Sequence, residues 1–299
     1  MTAQRASVII PCYNQGRFLA EAINSVLAQG AAAGEIIVVN DGSTDETSPV
    51  AASYGAQIQL IEQANRGLSG ARNAGIHAAA CPYIALLDAD DAYLPGALER
   101  LTTYLDEHPD VALVCSDAFL WDGAERFGLK STWSGKPRNP ENFRWETVEY
   151  CATPSTVVMR RAVFDHVELF DETLKNAAED WLMWVSMSRL YNLAYIDEPL
   201  VLYRVHDRNA TRNVERINAG NRYAVRQVVS SPHFAAYPAH FRARLLYYRF
   251  ACAFHEEPKH AVIAYFLRAV ATDPGQIGYG VGVLRRGLSN TLRRQRKSG

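Results

Sequence analysis

The chain holds no hydrophobic run near the roughly 18 to 20 residues that a membrane span requires, so its 299 residues predict no transmembrane helix. No basic-then-apolar export signal opens it; Met1–Ala6 leads straight into a strand-like stretch. Cysteine is scarce. The five residues, at positions 12, 81, 115, 151 and 252, are an odd number with no CxxC pair. That pattern argues against a disulfide framework or a zinc ribbon, and it predicts a reducing, cytoplasmic setting. Thirteen Pro and nineteen Gly are too few and too scattered for a collagen-like or linker-dominated chain. Several catalytic signatures are missing as well. There is no GxGxxG behind a strand, no GxxxxGK(S/T) loop and no GxSxG elbow. His255-Glu256 and His260 are spaced one residue too far for a zincin helix, and Pro258 interrupts them.

What is present is an ordinary globular composition, 48% apolar and 21% charged, long enough for one large domain or two ordinary ones. The net charge of -1 hides an asymmetry. From Arg216 onward there are 14 Lys/Arg and three Asp/Glu, against 17 and 29 in residues 1–215. An acidic body and a basic tail predict two parts, 1–215 and 216–299.

The first 120 residues alternate between two periodicities. Short β-branched runs stand at Ser7–Ile10, Glu35–Val39, Ile58–Ile61, Tyr83–Leu87 and Val111–Cys115, each the length of a buried strand. Helical patterns lie between most of them: Phe18, Leu19, Ala22, Ile23, Val26 and Leu27 share a face, as do Ala97, Leu98, Leu101 and Leu105 after Pro95. The alternation predicts an α/β fold with a mostly parallel sheet flanked by helices. Residues 119–154 are irregular and predict long loops of the kind that shape an acceptor site. A helix is expected over 178–191 and a strand over 200–205. Beyond 215 the pattern is all helical, with a helix pair over 241–254 and 258–272 whose second member turns Ala261, Val262, Tyr265, Phe266, Ala269 and Val270 inward. Leu284, Leu288 and Leu292 then form a stripe among Arg285, Arg286, Arg293, Arg294, Arg296 and Lys297.

In an open parallel sheet, ligands bind beyond the carboxyl ends of the strands. After the first strand come Pro11-Cys12-Tyr13-Asn14, after the second Asn40-Asp41-Gly42-Ser43, and after the fourth Asp88, Asp90 and Asp91. A ring can lie against a nucleobase, a carboxylate can accept from a base N–H or ribose hydroxyls, and two carboxylates at i, i+2 can hold a divalent cation. Taken alone, Asp41-Gly42-Ser43 also reads as a turn capping the next helix. The Asp88–Asp91 cluster also reads as a solvated loop, although three carboxylates at the mouth of a buried strand repel one another and call for a cation.

In order, Ser7-Val8-Ile9-Ile10-Pro11-Cys12-Tyr13-Asn14, Glu35-Ile36-Ile37-Val38-Val39-Asn40-Asp41-Gly42-Ser43-Thr44-Asp45, the segment from Asn65-Arg66-Gly67 to Arg72-Asn73-Ala74-Gly75, Asp88-Ala89-Asp90-Asp91, Glu179-Asp180-Trp181 and Tyr203-Arg204-Val205-His206 resemble the family 2 glycosyltransferases over about residues 5–212. The resemblance implies a Rossmann-like GT-A fold for 1–215, with an all-helical extension, and an inverting transfer from a nucleotide-diphosphate sugar. It places Pro11 and Tyr13 on the base, with Asn14 in the same substrate-binding set, and Asp41 on the base edge. Arg72 would hold the nucleotide and Asp88 would lie near the ribose. Asp90 would bind Mn²⁺ or Mg²⁺, with His206 at the metal or the pyrophosphate. Asp180 would be the catalytic base and Trp181 would lie near the acceptor. A base-edge carboxylate with Tyr13 suits uracil, so a UDP-sugar is the expected donor. Processive members of the family carry QxxRW after the catalytic acid. Here Arg144-Trp145 precedes Asp180 and lacks the Gln, which implies single-sugar transfer.

A leucine stripe flanked by arginines suits an interfacial helix on anionic lipid, so residues 284–297 predict peripheral attachment at the inner membrane face; the same stretch also reads as a solvated helix end packed on the body or as a basic arm on the acidic body of a partner subunit. That location would bring the enzyme to a saccharide or lipid-linked acceptor of bacterial surface glycan or lipopolysaccharide synthesis. The tail has no interleaved aromatics, and no nucleic acid is expected. The alternatives are a nucleotidyltransferase, which would want a Gly-rich basic loop that Pro11–Gly16 lacks, and a catalytically silent nucleotide-sugar-binding or scaffold protein acting through its helical tail.

Overall fold

The computed structural model describes residues 6–147, 152–174, 177–207, 209, 213–253 and 258–283. The basic segment 284–297, Cys151 and Phe254 lie outside the described residues. The chain divides into two compact units, Met1–Arg212 and Asn213–Gly299.

The first unit runs β1 (Ala6–Cys12), α1 (Gly16–Leu27), β2 (Ala33–Asn40), α2 (Thr47–Ala52), β3 (Gln59–Glu62), α3 (Gly67–Ala78), β4 (Tyr83–Leu86), β5 (Ala92–Tyr93) and α4 (Ala97–Glu107). There follow β6 (Val111–Trp121), β7 (Arg126–Leu129), the single turn α5 (Ser131–Ser134), β8 (Val157–Arg160), α6 (Glu179–Ser188) and β9 (Asn192–Arg204). The strands form one sheet in the order β3-β2-β1-β4-β8-β6-β9-β5, with β7 paired to the outer part of β6. Strands β3, β2, β1 and β4 are mutually parallel, as strand-helix alternation dictates. Strand β8 runs antiparallel between β4 and β6, and β9 returns parallel to β6.

Strand β1 is buried along its whole length, and its period of two divides it between both faces of the sheet. Val8 and Ile10 pack with Leu19, Ile23 and Val26 of α1 and with Leu98 and Leu101 of α4. Ile9 packs on the opposite face with Ala71 and Ile76 of α3 and with Met183, Trp184 and Met187 of α6. Helix α3 comes so close to β1 that a Cβ at Gly75 would lie 2.4 Å from Ile9 Cγ2.

The expected irregular stretch 119–154 is more ordered than its composition suggests. Strand β6 continues to Trp121 and folds back as β7. Likewise, the expected strand at 200–205 is the end of the long β9, whose first half is paired to β6. Pro199 interrupts that run in the sequence, and the ladder absorbs it with register shifts around Asp117.

The second unit contains α7 (Val214–Ser230), α8 (Ala239–Ala253) and α9 (Lys259–Thr272). Asn213 caps α7 by accepting from the Arg216 N–H at 3.0 Å. Val262 and Ala269 of α9 are buried, with Tyr265 and Phe266 packed against Phe250 of α8, which is the inward face expected from the sequence.

Candidate active site

The carboxyl ends of β1, β2 and β4 lie side by side, so the residues following them share one rim. Pro11 and Cys12 are inside the sheet, while the Tyr13 ring stands 52% exposed just past the strand end. Burial pushes the Cys12 thiol up to about 11, the pKa of a core residue. Asn14, at φ 53°, spends its side chain on the neighbouring loop: Oδ1 accepts from the Thr44 N–H at 2.8 Å, and its own N–H donates to Ser43 Oγ at 3.0 Å.

Asp41 is almost wholly buried. Its Oδ1 accepts from Gln63 Nε2 at 2.7 Å and from the Arg66 N–H at 2.8 Å, and its Oδ2 accepts from the Gly67 N–H at 2.8 Å. The carboxylate therefore holds the amino end of α3, where the helix dipole and unpaired N–H groups favour an anion. This is a capping role, exerted on α3 across the sheet and not on the next helix in sequence.

The three acids after β4 are drawn apart by three different partners. Asp88 Oδ1 meets Arg72 Nη2 at 2.9 Å. Asp91 turns inward, where Ser155 Oγ donates to Oδ2 at 2.5 Å and the Arg204 N–H donates to Oδ1 at 2.9 Å. Burial and then repulsion from Asp90 and Asp88 push Asp91 well above the usual carboxylate range. Asp90 faces His206, with Oδ2 2.9 Å from Nε2, and the same oxygen accepts from Gln15 Nε2 at 3.2 Å. His206 sits just beyond β9, against the ring of Phe18, with centroids 5.1 Å apart.

Arg72 joins this loop to α6. Its Nη1 donates to Glu179 Oε1 at 2.8 Å, while Nη2 holds Asp88. The guanidinium is 1% exposed, and although burial opposes its charge, Asp88, Glu179 and Asp180 outweigh that and raise its pKa. Glu179 lies beside Asp180 at the first turn of α6. Burial, followed by repulsion from Asp180, pushes it up to about 7 against the pull of Arg72. Asp180 Oδ1 accepts from the Trp181 N–H at 2.7 Å, and its charge acts on both Arg72 and Asp88. Ala178, immediately before the helix, has φ 62°. It and Asn14 are the two non-glycine residues with positive φ among the described residues, and both border this site. Trp181 is buried at 7% exposure.

The sequence matches the family described as "Glycosyl transferase family 2" over residues 7–168, more than half of the chain. This chain belongs to glycosyl transferase family 2. Curated relatives include the uncharacterized glycosyltransferase RP339 of Rickettsia prowazekii, 32% identical over 213 residues that cover 69% of this chain and 65% of that protein. The uncharacterized glycosyltransferase EpsJ of Bacillus subtilis is 30% identical over 223 residues, covering 69% and 62%. The chain thus spans less than two thirds of the length of either relative. Among solved structures, S. aureus TarS 1–349 superposes with a TM-score of 0.65 at 17% identity, covering 99% of this chain and 92% of that one. A mannosyltransferase from Pyrobaculum calidifontis in complex with GDP-Man and Mn²⁺ superposes with a TM-score of 0.58 at 16% identity, covering 96% and 87%. The fold is therefore the GT-A fold.

Within this family 2 framework the donor set fits a hard divalent cation. Asp90 offers a carboxylate oxygen and His206 an imidazole nitrogen at a single point on the rim. Among the described residues no cage of three or more His, Cys, Asp or Glu side chains gathers. A cation here would complete its shell with phosphate oxygens and water, the usual manner for Mg²⁺ in nucleotide sites. The sequence reading assigned no role to Gln15, Ser155, Glu179 or Arg204. Glu179 and Arg204 sit inside the quoted motifs, beside the residues that drew attention; Gln15 and Ser155 have no local signal and are found only through their contacts with Asp90 and Asp91.

Proposed function

We propose that this chain is an inverting glycosyltransferase that moves one sugar from a UDP-sugar to a hydroxyl of a saccharide or lipid-linked acceptor. The observation that carries the reading is the joining of Asp88 and Glu179 through the buried fork of Arg72, beside the facing pair Asp90 and His206. Donor-holding residues and the Glu179-Asp180 turn thereby share one rigid frame.

The Tyr13 ring stacks on the base. Asp41 Oδ2, with a single described hydrogen bond, keeps a lone pair for a uracil N–H. Asp88 accepts from ribose hydroxyls while Arg72 holds its carboxylate. Asp90 and His206 would hold Mn²⁺ or Mg²⁺, which when bound neutralises charge on the diphosphate leaving group. Asp180 takes the proton of the acceptor hydroxyl as its oxygen bonds to the anomeric carbon from the face opposite the departing diphosphate. The products are a glycoside of inverted configuration, UDP, and a proton on Asp180. Trp181, the next residue on α6, lies near the acceptor. The S. aureus TarS structures that share the fold include complexes with UDP-GlcNAc and with UDP.

Single-sugar transfer is supported by the use made of Arg144. It donates through Nε to the Ser188 carbonyl at 2.8 Å and through Nη2 to the Arg189 carbonyl at 3.0 Å, closing the carboxyl end of α6. We place the acceptor in bacterial surface glycan or lipopolysaccharide synthesis, a reading that rests on the family resemblance of the sequence.

The test pairs Asp180→Asn with a thermal-shift panel of nucleoside diphosphates and their sugars, with and without Mn²⁺. The expected result is stabilisation by UDP that deepens with metal in both proteins, and turnover lost by about 100-fold or more in the variant alone. Undiminished turnover in Asp180→Asn removes that residue as the base. No response to any nucleotide removes the reading as a whole.

A further inference from the structure

The site contains a second buried arginine. Arg204 closes β9 two residues before His206, and only 7% of its side chain is exposed. Its guanidinium carbon lies over two rings, 3.8 Å from the Trp121 centroid and 4.6 Å from that of Phe18. Nε donates to the Asp90 carbonyl at 2.9 Å, and Nη2 pairs with Glu21 of α1. The backbone of the same residue donates its N–H to Asp91 Oδ1, and its carbonyl accepts from Asn209 Nδ2 at 3.1 Å. Asn209 in turn accepts from the His206 N–H at 2.5 Å. Gly123 makes room for the fork, since a Cβ there would lie 2.6 Å from Nη1.

The guanidinium thus ties the Asp90 loop and α1 to the end of β9, and the backbone of the same residue ties in the His206 turn. The side chain holds the Asp90 loop through its carbonyl and α1 through Glu21 and Phe18, while the Arg204 carbonyl holds the His206 turn through Asn209, two residues from the guanidinium's own anchor on β9. A guanidinium can do this because it is planar and packs against aromatic rings while its edge donates in fixed directions; an ammonium cannot. We propose that Arg204 is a positioning residue that sets the separation of Asp90 and His206, and so the affinity of the site for the divalent cation of the nucleotide complex. This rests on the donor-site reading above. Partners of this kind behind metal ligands typically govern affinity by about 10- to 100-fold.

The test uses the full chain, Mn²⁺ and UDP. Free Mn²⁺ is followed by electron paramagnetic resonance at saturating UDP, and UDP binding in EDTA is followed by calorimetry. Arg204→Lys, Arg204→Met and Trp121→Leu are compared with the wild type and with Asp90→Asn. In the folded Arg204 variants, Mn²⁺ affinity is expected to fall about 10- to 100-fold while UDP binding in EDTA stays within about twofold. A role confined to stability would lower the melting temperature and leave this split untouched. If Arg204→Met does not fold, Arg204→Lys, which keeps the charge, and Trp121→Leu, which keeps the arginine, carry the test. Wild-type Mn²⁺ affinity in those two variants overturns the inference alone. Failure of the wild type to take up Mn²⁺ through Asp90 overturns the donor-site reading with it.

Discussion

Glu179 and Asp180 are adjacent carboxylates, and their surroundings set them apart. Glu179 is enclosed and bonded to Arg72, while Asp180 is half-buried at the same helix start. Because burial raises Glu179 to about 7, the folded protein binds its proton more tightly than the unfolded chain, whose value is near 4.5. The folded state therefore loses stability as pH rises from about 4.5 to about 7, and no further from this group above that. Glu179→Gln removes the titration. The stability of the wild type relative to the variant is expected to fall across that window and to run flat above it, measured by urea unfolding at a series of pH values. A difference independent of pH would show that Glu179 does not titrate there. The sequence shows the Glu-Asp-Trp triplet but not this difference in surroundings, since Arg72 reaches Glu179 from 107 residues away.

At the scale of elements, helix α3 is set by two opposing needs. Its twelve residues include Gly67, Gly70 and Gly75, poor helix formers. Gly67, at φ 80°, starts the helix beneath Asp41, and Gly75 lets α3 touch Ile9. Gly75→Ala would gain up to about 1 kcal/mol in helix propensity. It would also force a Cβ to within 2.4 Å of Ile9 Cγ2, and overpacking of that kind costs about 1–3 kcal/mol. The packing cost is the larger, so the variant is expected to be less stable by about 1 kcal/mol in chemical denaturation. A more stable variant would mean that α3 can slide on β1. The positions of β1, β2 and β4 were legible from apolar, β-branched runs because each strand is largely buried, whereas their register came from the sheet itself. Strand β8 was not legible: its four residues after a Pro-Ser-Thr turn are too short for periodicity and are held by β4 and β6 on either side.

At the scale of the molecule, charge is divided along the chain, with 29 acidic residues in 1–215 and three beyond. Among the described residues no helix is long and apolar enough to cross a membrane. The basic segment 284–297 suits an anionic lipid surface, each Lys or Arg contributing about 1 kcal/mol near it. Flotation with phosphatidylglycerol vesicles is expected to carry the chain at low salt and release it at high salt. Serine at Arg285, Arg286, Arg293 and Arg294 should abolish the association; an association insensitive to both would rule out this attachment.

The sequence by itself determined where the acids stand, because strand length and the step from period two to period 3.6 are local properties read within a dozen residues. It placed Asp41, Asp88, Asp90 and Asp91 at strand mouths and Asp180 at a helix start. Only the tertiary structure decided which acid does what. Asp88 went to Arg72, Asp91 to Ser155 and Arg204, and Asp90 to His206, with the last two pairings made across 113 and 116 residues. A carboxylate's role depends on what approaches it, and in a sheet that joins β4 to β9 those approaches are made by residues that lie far apart in the chain.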